Sequence, residues 1–357
     1  MHDTTSGVSV VVPVHFKDIT LEELRFFRRA MDSIAGQELS VPYEVLIVDD
    51  SPSPISDHAD LFDKDVLSKI RWIRSHPRGG LVHALNTGLN CARYPLIARL
   101  DADDRWSPGK MQQQLALLAQ DPDLSIVGTG MSLVTPDGEI FEQLIRPGDW
   151  TGILRFFVDV GCPFPHGSIV ARKDIFRLLG GYPHDPMTSH CEDFALWGTW
   201  LRFFKPAMVE KLLYEYTVSQ TAKSAVNKDE LARASGLVHA AFIRLNLVDR
   251  LPAALANLAE VLDISILQAG VLAYRMWHYR VPVRLPNAAL ESLRIVLCDK
   301  NVDVLGESGN TLELDEALRG FPSPGSNGQG AENQSTGLLP VGTSKRYRAD
   351  YSVAWVN

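Results

Sequence analysis

Between Tyr94 and Pro108 the chain runs from a short apolar segment straight into acid. Leu96 to Leu100 reads as a buried strand, and Asp101, Asp103 and Asp104 follow it at once. Three carboxylates within four residues repel one another, so a fold gains nothing by gathering them at a strand end unless something cationic sits there. A hard divalent cation that keeps some of its waters and binds substrate phosphates suits such a cluster. An isolated Asp-X-Asp is more simply an acidic surface turn. Position at the end of a buried strand shifts the balance toward a site, because open α/β sheets bind ligands there. Ser107-Pro108 then offers an N-cap and first turn for the next helix.

The rest of the first half repeats this plan. Val8 to Val14 is β-branched and almost continuously apolar, as expected of a strand buried on both faces, and Pro13 is expected to end it. Leu24, Phe27, Met31 and Ile34 recur at helical steps. A second strand, Glu44 to Val48, ends in Asp49-Asp50, and Ile70 to Ile73 is a third strand. Pro77-Arg78-Gly79-Gly80 precedes a helix marked by Leu81, Leu85 and Leu89, where free backbone amides would favour an anion. Neither the Walker spacing nor the dinucleotide-binding glycine fingerprint is present, which argues against a P-loop enzyme and a Rossmann dehydrogenase. Strand and helix alternate, so the fold class is α/β with a mostly parallel central sheet and flanking helices.

After Asp121 the texture changes. Leu124 to Val134 and Glu139 to Ile145 are extended runs around the turn Thr135-Pro-Asp-Gly138. A helix near Ile153 to Val160, a rigid loop from Cys162 to Gly167, a strand Ser168 to Ala171 and a helix Lys173 to Leu179 follow. Glu192 and Asp193 open a helix carrying Leu196, Trp197, Trp200, Leu201 and Phe204 on one face. Two carboxylates in a first turn also simply stabilise the helix dipole, which weighs evenly against a catalytic role. Lys211 to Val218 is the last strand. Residues 229–300 read as wholly helical, broken at Pro252, Pro282 and Pro286, with Val261 to Tyr279 amphipathic enough for peripheral contact with a membrane face, although packing on the main domain is the expectation. The division expected is residues 1–220, a helical region 221–319, and a largely disordered tail 320–357 rich in Gly, Ser, Pro, Asn and Gln.

Composition narrows the class of partner. A formal net charge of −8 argues against nucleic acid. Cys91, Cys162, Cys191 and Cys298 have no paired spacing, so reduced thiols and a cytoplasmic location, at most at the inner face of a membrane, are expected. The N-terminus lacks the basic and apolar regions of a signal peptide, and no run approaches the ~20 apolar residues of a membrane span.

Taken together, Val10-Val-Val-Pro-Val14, Val45-Leu-Ile-Val-Asp-Asp-Ser51, Gly79-Gly-Leu-Val-His-Ala-Leu-Asn-Thr-Gly-Leu89, Leu100-Asp-Ala-Asp-Asp104, Gly180-Gly-Tyr182 and Glu192-Asp-Phe-Ala-Leu-Trp197 resemble a family 2 glycosyltransferase of the GT-A fold, in particular the bacterial polysaccharide-assembly transferases. The resemblance implies an inverting transfer of a sugar from a nucleotide-sugar donor, UDP-linked by expectation, to a hydroxyl of a glycan or lipid-linked glycan. It implies that Pro13, Val14, Asp49, Asp50, Gly80, Asp101 and Ala102 hold the donor nucleotide, and that Asp103, with Asp101, holds Mg²⁺ or Mn²⁺. Asp193 matches the general base and Glu192 its acidic neighbour; His166 and Trp197 fall where acceptor contacts are expected, although a core role suits Trp197 better. Arg78 and Leu85 depart from the family pattern in the glycine loop. His190 is a further candidate for a metal or phosphate.

Two other readings stay open. A haloacid dehalogenase phosphatase also uses a strand-end Asp-X-Asp, but its nucleophile ends the first strand of the domain, and here that strand ends in Pro-Val-His. A non-catalytic scaffold holding a sugar nucleotide would be favoured by loss of Asp101, Asp103 or Asp193, and all three are present.

Overall fold

The computed structural model describes residues 7–62, 67–75, 78–185, 188, 190–218, 228–243, 248–298 and 311–321. The tail expected to be disordered lies outside them from residue 322 onward, as do residues 299–310. Nine strands form one mixed sheet, in the order β3-β2-β1-β4-β8-β6-β9-β5, with β7 paired to β6. These are β1 (Val8–Val14), β2 (Tyr43–Asp49), β3 (Ile70–Arg74), β4 (Leu96–Arg99), β5 (Arg105–Trp106), β6 (Ile126–Val134), β7 (Ile140–Leu144), β8 (Val170–Arg172) and β9 (Pro206–Thr217).

The half made of β3, β2, β1 and β4 is parallel, as its continuous apolar runs require. Strand alternation divides the core between the two faces of the sheet. Val8, Val10, Val12 and Val14 pack on one side with Phe27, Met31 and Trp106, while Val11 faces the other with Leu46 and Val48. The first layer is covered by helix α1 (Leu21–Ala35), whose start is fixed by a Thr20–Glu23 capping box. Helix α2 (Gly80–Cys91) packs on the opposite face. In α3 (Lys110–Gln120) the N-cap is Gly109 in the left-handed region, not Ser107, whose backbone instead pairs with β9 through Leu213.

The second half is antiparallel around β8, and β6 runs parallel to β9 with register shifts. Helices α4 (Trp150–Asp159), α5 (Lys173–Leu179) and α6 (Glu192–Phe203) lie on the α2 face. Beyond them come α7 (Lys228–Ile243), α8 (Leu251–Leu262), α9 (Ile266–His278), α10 (Asn287–Leu297) and the short α11 (Leu314–Ala317). Two expectations for this region change. Pro252 does not break a helix but sits in the first turn of α8, where its missing N–H costs nothing. The break within Val261–Tyr279 falls at Asp263, left-handed, and Ser265, which caps α9 in a box with Gln268. Most of α9 is buried rather than presented to a partner. Among the described residues no single helix is long and apolar enough to cross a membrane, and the pair α8–α9 is bent by 100°. The four cysteines are free thiols.

Candidate active site

The carboxyl ends of β1, β2 and β4 open on a cleft of about 1090 Å³, closed on the other side by the start of α6 and the loops before it. Pro13, Val14, Asp50, Gly80, Asp101, Ala102, Asp103, His166, Glu192 and Asp193 all line it. Asp49 and Trp197 do not.

Asp49 fails to reach the cleft for a reason of strand parity. It is the last residue of β2 and shares the α1 face with Val45 and Ile47, whereas Asp50 turns the other way. Its carboxylate accepts hydrogen bonds from the Ser51 and Ile55 amides, both at 2.9 Å, and pairs with Arg74. Its carboxylate is thus engaged in local structural contacts, and of the expected Asp49–Asp50 pair it is Asp50 that lines the cleft. Trp197 is wholly buried, edge-on to Phe164 and Trp200 with ring centroids 5.8 Å away in each case, so no sugar reaches its face.

Asp50 answers the question of what anion sits at the start of α2. Its Oδ1 accepts from the Gly79 amide at 3.2 Å and its Oδ2 from the Gly80 amide at 3.1 Å, with Gly80 at φ +76°. The glycine amides thus hold the protein's own carboxylate, and the phosphate cradle expected there is occupied from within. His15 Nδ1 lies 2.9 Å from the Asp50 carbonyl oxygen.

The acidic cluster is divided by function. Asp101 is gripped through both oxygens by the guanidinium of the buried Arg99. Burial opposes the charge of Arg99, but Asp101 more than restores it. Asp104 is fully buried and structural: the Tyr214 hydroxyl and the Thr217 amide, at 2.7 Å, both donate to it. The Thr217 hydroxyl donates to the Asp103 carbonyl at 2.6 Å, so the end of β9 straps the whole turn. Asp103 alone presents its carboxylate to the cleft exposed. The surrounding protein and the nearby Asp101 push its carboxyl up to about 6, with Arg99 pulling the other way. That is the behaviour of a carboxylate lacking a countercharge, and a hard divalent cation fits it.

On the far wall, α6 begins with Cys191 as N-cap and carries Glu192 and Asp193 in its first turn. Burial and the adjoining Glu192 push the Asp193 carboxyl up to about 7, against the pull of Arg99. Asp193 Oδ2 lies 3.9 Å from both Cys162 Sγ and His166 Nδ1. His166 Nε2 is 2.8 Å from the Tyr182 hydroxyl, and burial together with Arg99 keeps its imidazole neutral. Asn86 on α2 fixes Tyr182 twice, accepting from its amide at 2.8 Å and donating to its carbonyl at 3.0 Å. His166, Glu192 and Asp193 offer ligand atoms within 4.8 Å of one another, but a cation, Arg146, lies on the same wall. His190 is left-handed at φ +70° and meets Glu230 of α7 at 3.3 Å.

Arg99, Arg146 and Tyr182 are site residues that sequence reading missed. An arginine inside the apolar run Leu96–Leu100 was a usable signal, since a buried guanidinium must be paired. Arg146 stands in a loop with no local signature.

Carboxylates from the sheet end and a buried carboxylate from the head of α6 thus line one cleft at the strand ends of an α/β sheet, the place where such folds hold ligands. Residues 9–179, just under half of the chain, match the model of Glycosyl transferase family 2. It is 29% identical over 199 residues to the putative glycosyltransferase EpsE of Bacillus subtilis, covering 56% of this chain and 66% of EpsE. Over 190 residues it is 28% identical to the O-antigen biosynthesis glycosyltransferase WbnJ of Escherichia coli (53% and 70%). A UDP-Gal:alpha-D-GlcNAc-diphosphoundecaprenol beta-1,3-galactosyltransferase of Escherichia coli is 27% identical over 208 residues (55% and 68%). The matched stretch thus spans 66–70% of the length of these relatives. Among solved structures, S. aureus TarS 1-349 in complex with UDP-GlcNAc aligns at TM-score 0.48 and 15% identity, over 81% of this chain and 90% of TarS 1-349.

Proposed function

We propose that this chain transfers a sugar, with inversion, from a UDP-sugar to a hydroxyl of a lipid-linked glycan in polysaccharide assembly. The carrying observation is that Asp101 and Asp103, from the end of β4, and Asp193, from the head of α6, line one cleft. The donor and acceptor classes draw on the galactosyltransferase relative, whose name gives UDP-Gal as donor and alpha-D-GlcNAc-diphosphoundecaprenol as acceptor.

In this reading Pro13, Val14, Asp50 and Ala102 bound the nucleotide pocket, and Asp103, with Asp101 shared between it and Arg99, would hold Mg²⁺ or Mn²⁺. A bound divalent ion supplies charge stabilisation to the diphosphate leaving group. Asp193 takes the proton of the attacking hydroxyl, a task suited to a carboxylate raised to about 7. Glu192 sustains that elevation by its charge. One in-line displacement inverts the anomeric centre.

The test is a panel of sugar nucleotides screened for metal-dependent binding and turnover. Asp103→Ala is expected to abolish the metal dependence of donor binding, and Asp193→Asn to keep donor binding while lowering transfer by roughly 10²–10⁴-fold. Normal turnover by Asp193→Asn would remove the base assignment. Donor binding without any turnover in the parent protein would favour a non-catalytic scaffold.

A further inference from the structure

Tyr182, in the turn Gly180-Gly-Tyr182, takes no part in the transfer described above. It is 2% exposed and does not line the cleft. Asn86 clamps its backbone through both amide and carbonyl, and its ring leans on Phe176 with centroids 5.6 Å away, so its hydroxyl is held at one point. Among the described residues that hydroxyl has one hydrogen-bond partner, Nε2 of His166 at 2.8 Å. Burial keeps the phenol protonated, so it has a proton to donate, and an O–H without an acceptor in a dry site is costly. The other side of the imidazole gives the same answer. Nδ1 faces Asp193 Oδ2, and a carboxylate repels a lone pair turned toward it but attracts an N–H. Both arguments put the single ring proton of the neutral imidazole on Nδ1, with Tyr182 donating to Nε2.

The 3.9 Å from Nδ1 to Oδ2 is too long for a direct hydrogen bond, and it is a span that one oxygen atom, about 2.8 Å from each, would bridge. Both side chains line the cleft and stay reachable, at 12% and 21% exposed. Cys162 Sγ lies equally far from Oδ2, but it is turned to the Phe164 carbonyl at 3.3 Å. We infer that two residues seat the attacking hydroxyl, which donates its proton to Asp193 and accepts from the Nδ1–H of His166, with Tyr182 fixing the tautomer from behind. This rests on the transferase reading above and adds the orientation of the nucleophile. His166 takes up one lone pair of the hydroxyl oxygen, which leaves the other to aim at the anomeric carbon. As the new C–O bond forms, the proton passes to Asp193, and the bond to the diphosphate breaks with its electron pair leaving on oxygen. His166 stays neutral throughout. It is then a catalytic residue, and Tyr182 is a positioning residue that acts through it.

The experiment uses the full chain. Nitrogen-15 spectra of histidine-labelled protein read the tautomer directly, the His166 signal being the one lost in His166→Asn. The Nδ1-protonated form is expected in the wild type, and Tyr182→Phe should move it toward the Nε2-protonated form. Rates are followed as UDP release with Mg²⁺ from the sugar nucleotide that the panel selects, with water as the accepting hydroxyl. An asparagine amide reaches the Nδ1 position and a glutamine amide the Nε2 position. His166→Gln is therefore expected to lower kcat about tenfold, and His166→Asn to recover most of that loss. Tyr182→Phe should lower kcat about threefold alone and cost nothing more beside His166→Asn, where no tautomer is left to set. All these variants should bind UDP with Mg²⁺ as the wild type does, which certifies their folding. An Nε2-protonated His166 in the wild type overturns the inference, whatever the variants do. So do equally slow Asn and Gln variants, or a Tyr182→Phe loss that is the same in both backgrounds. A His166 variant with unchanged thermal unfolding and weakened UDP binding overturns it too, by assigning the residue to the donor. Each of these sinks the inference alone, whereas a wild type that binds no nucleotide or never releases UDP sinks the transferase reading with it.

Discussion

Asp193 and Asp49 are both acidic residues beside the sheet, and their surroundings give them opposite work. The walls around Asp193 withhold water and Glu192 adds repulsion, so its carboxyl holds its proton up to about pH 7. A base must be ionised, so transfer is expected to rise with pH about tenfold per unit below pH 7 and then level, read from the pH profile of kcat/KM. Stability moves the other way. An aspartate that keeps its proton to a higher pH in the fold than in the unfolded chain (near 3.9 there) binds more protons when native. Its contribution is complete below that value and is lost as pH rises through about 7, so Asp193→Asn should flatten the decline in a urea titration run between pH 4 and 7. Asp49, by contrast, is ionically paired and caps two amides. Asp49→Ala leaves those two amides without an acceptor and Arg74 with only the Ser51 carbonyl, and is expected to cost about 1–3 kcal/mol in unfolding free energy. Trp197→Phe should lower stability by about 1–2 kcal/mol and leave the acceptor KM unchanged, since the ring is core.

At the level of elements, the site depends on how closely α6 is held. Its end is met by α9, where Gly270 approaches the Phe203 carbonyl so nearly that an added Cβ would overlap that oxygen. Phe203 in turn packs on Tyr274 and Trp277 with centroids 5.4 Å away. Backbone cannot yield as a flexible side chain can. Gly270→Ala is therefore expected to destabilise the chain by about 1–3 kcal/mol and to depress activity through α6, checked by thermal unfolding alongside kcat. Gly181 shows the same constraint nearer the cleft: at φ +79° it is also pressed by Asn86, the side chain that clamps Tyr182.

Over the whole molecule, the helices after residue 228 share one apolar core with the sheet layer. Leu255, Leu258, Leu272 and Leu293 belong to the same cluster as Trp197, Trp200 and Phe203, and Arg202 donates to the Val296 carbonyl at 2.9 Å. Ending the chain at residue 220 would strip cover from α6 and expose that aromatic cluster. The expected outcome is aggregation, measured by size-exclusion chromatography against the full chain, rather than a stable smaller protein.

The amino-acid order by itself determined the parallel half of the sheet, because strands buried on both faces must be written as unbroken apolar runs such as Val10–Val12 and Leu46–Val48. It also marked the strand ends and the head of α6 as the places where acid collects. The two-residue strand β5 carries too little pattern to be read locally, and it forms only because β9 presents an edge to it. Tertiary structure alone decided which acids face the cleft. Adjacent residues at a strand end point to opposite sides, so Asp49 and Asp50 look alike in the chain and part company in the fold. It likewise chose Asp104 for Tyr214, since such pairing is settled by distances between residues far apart in the chain.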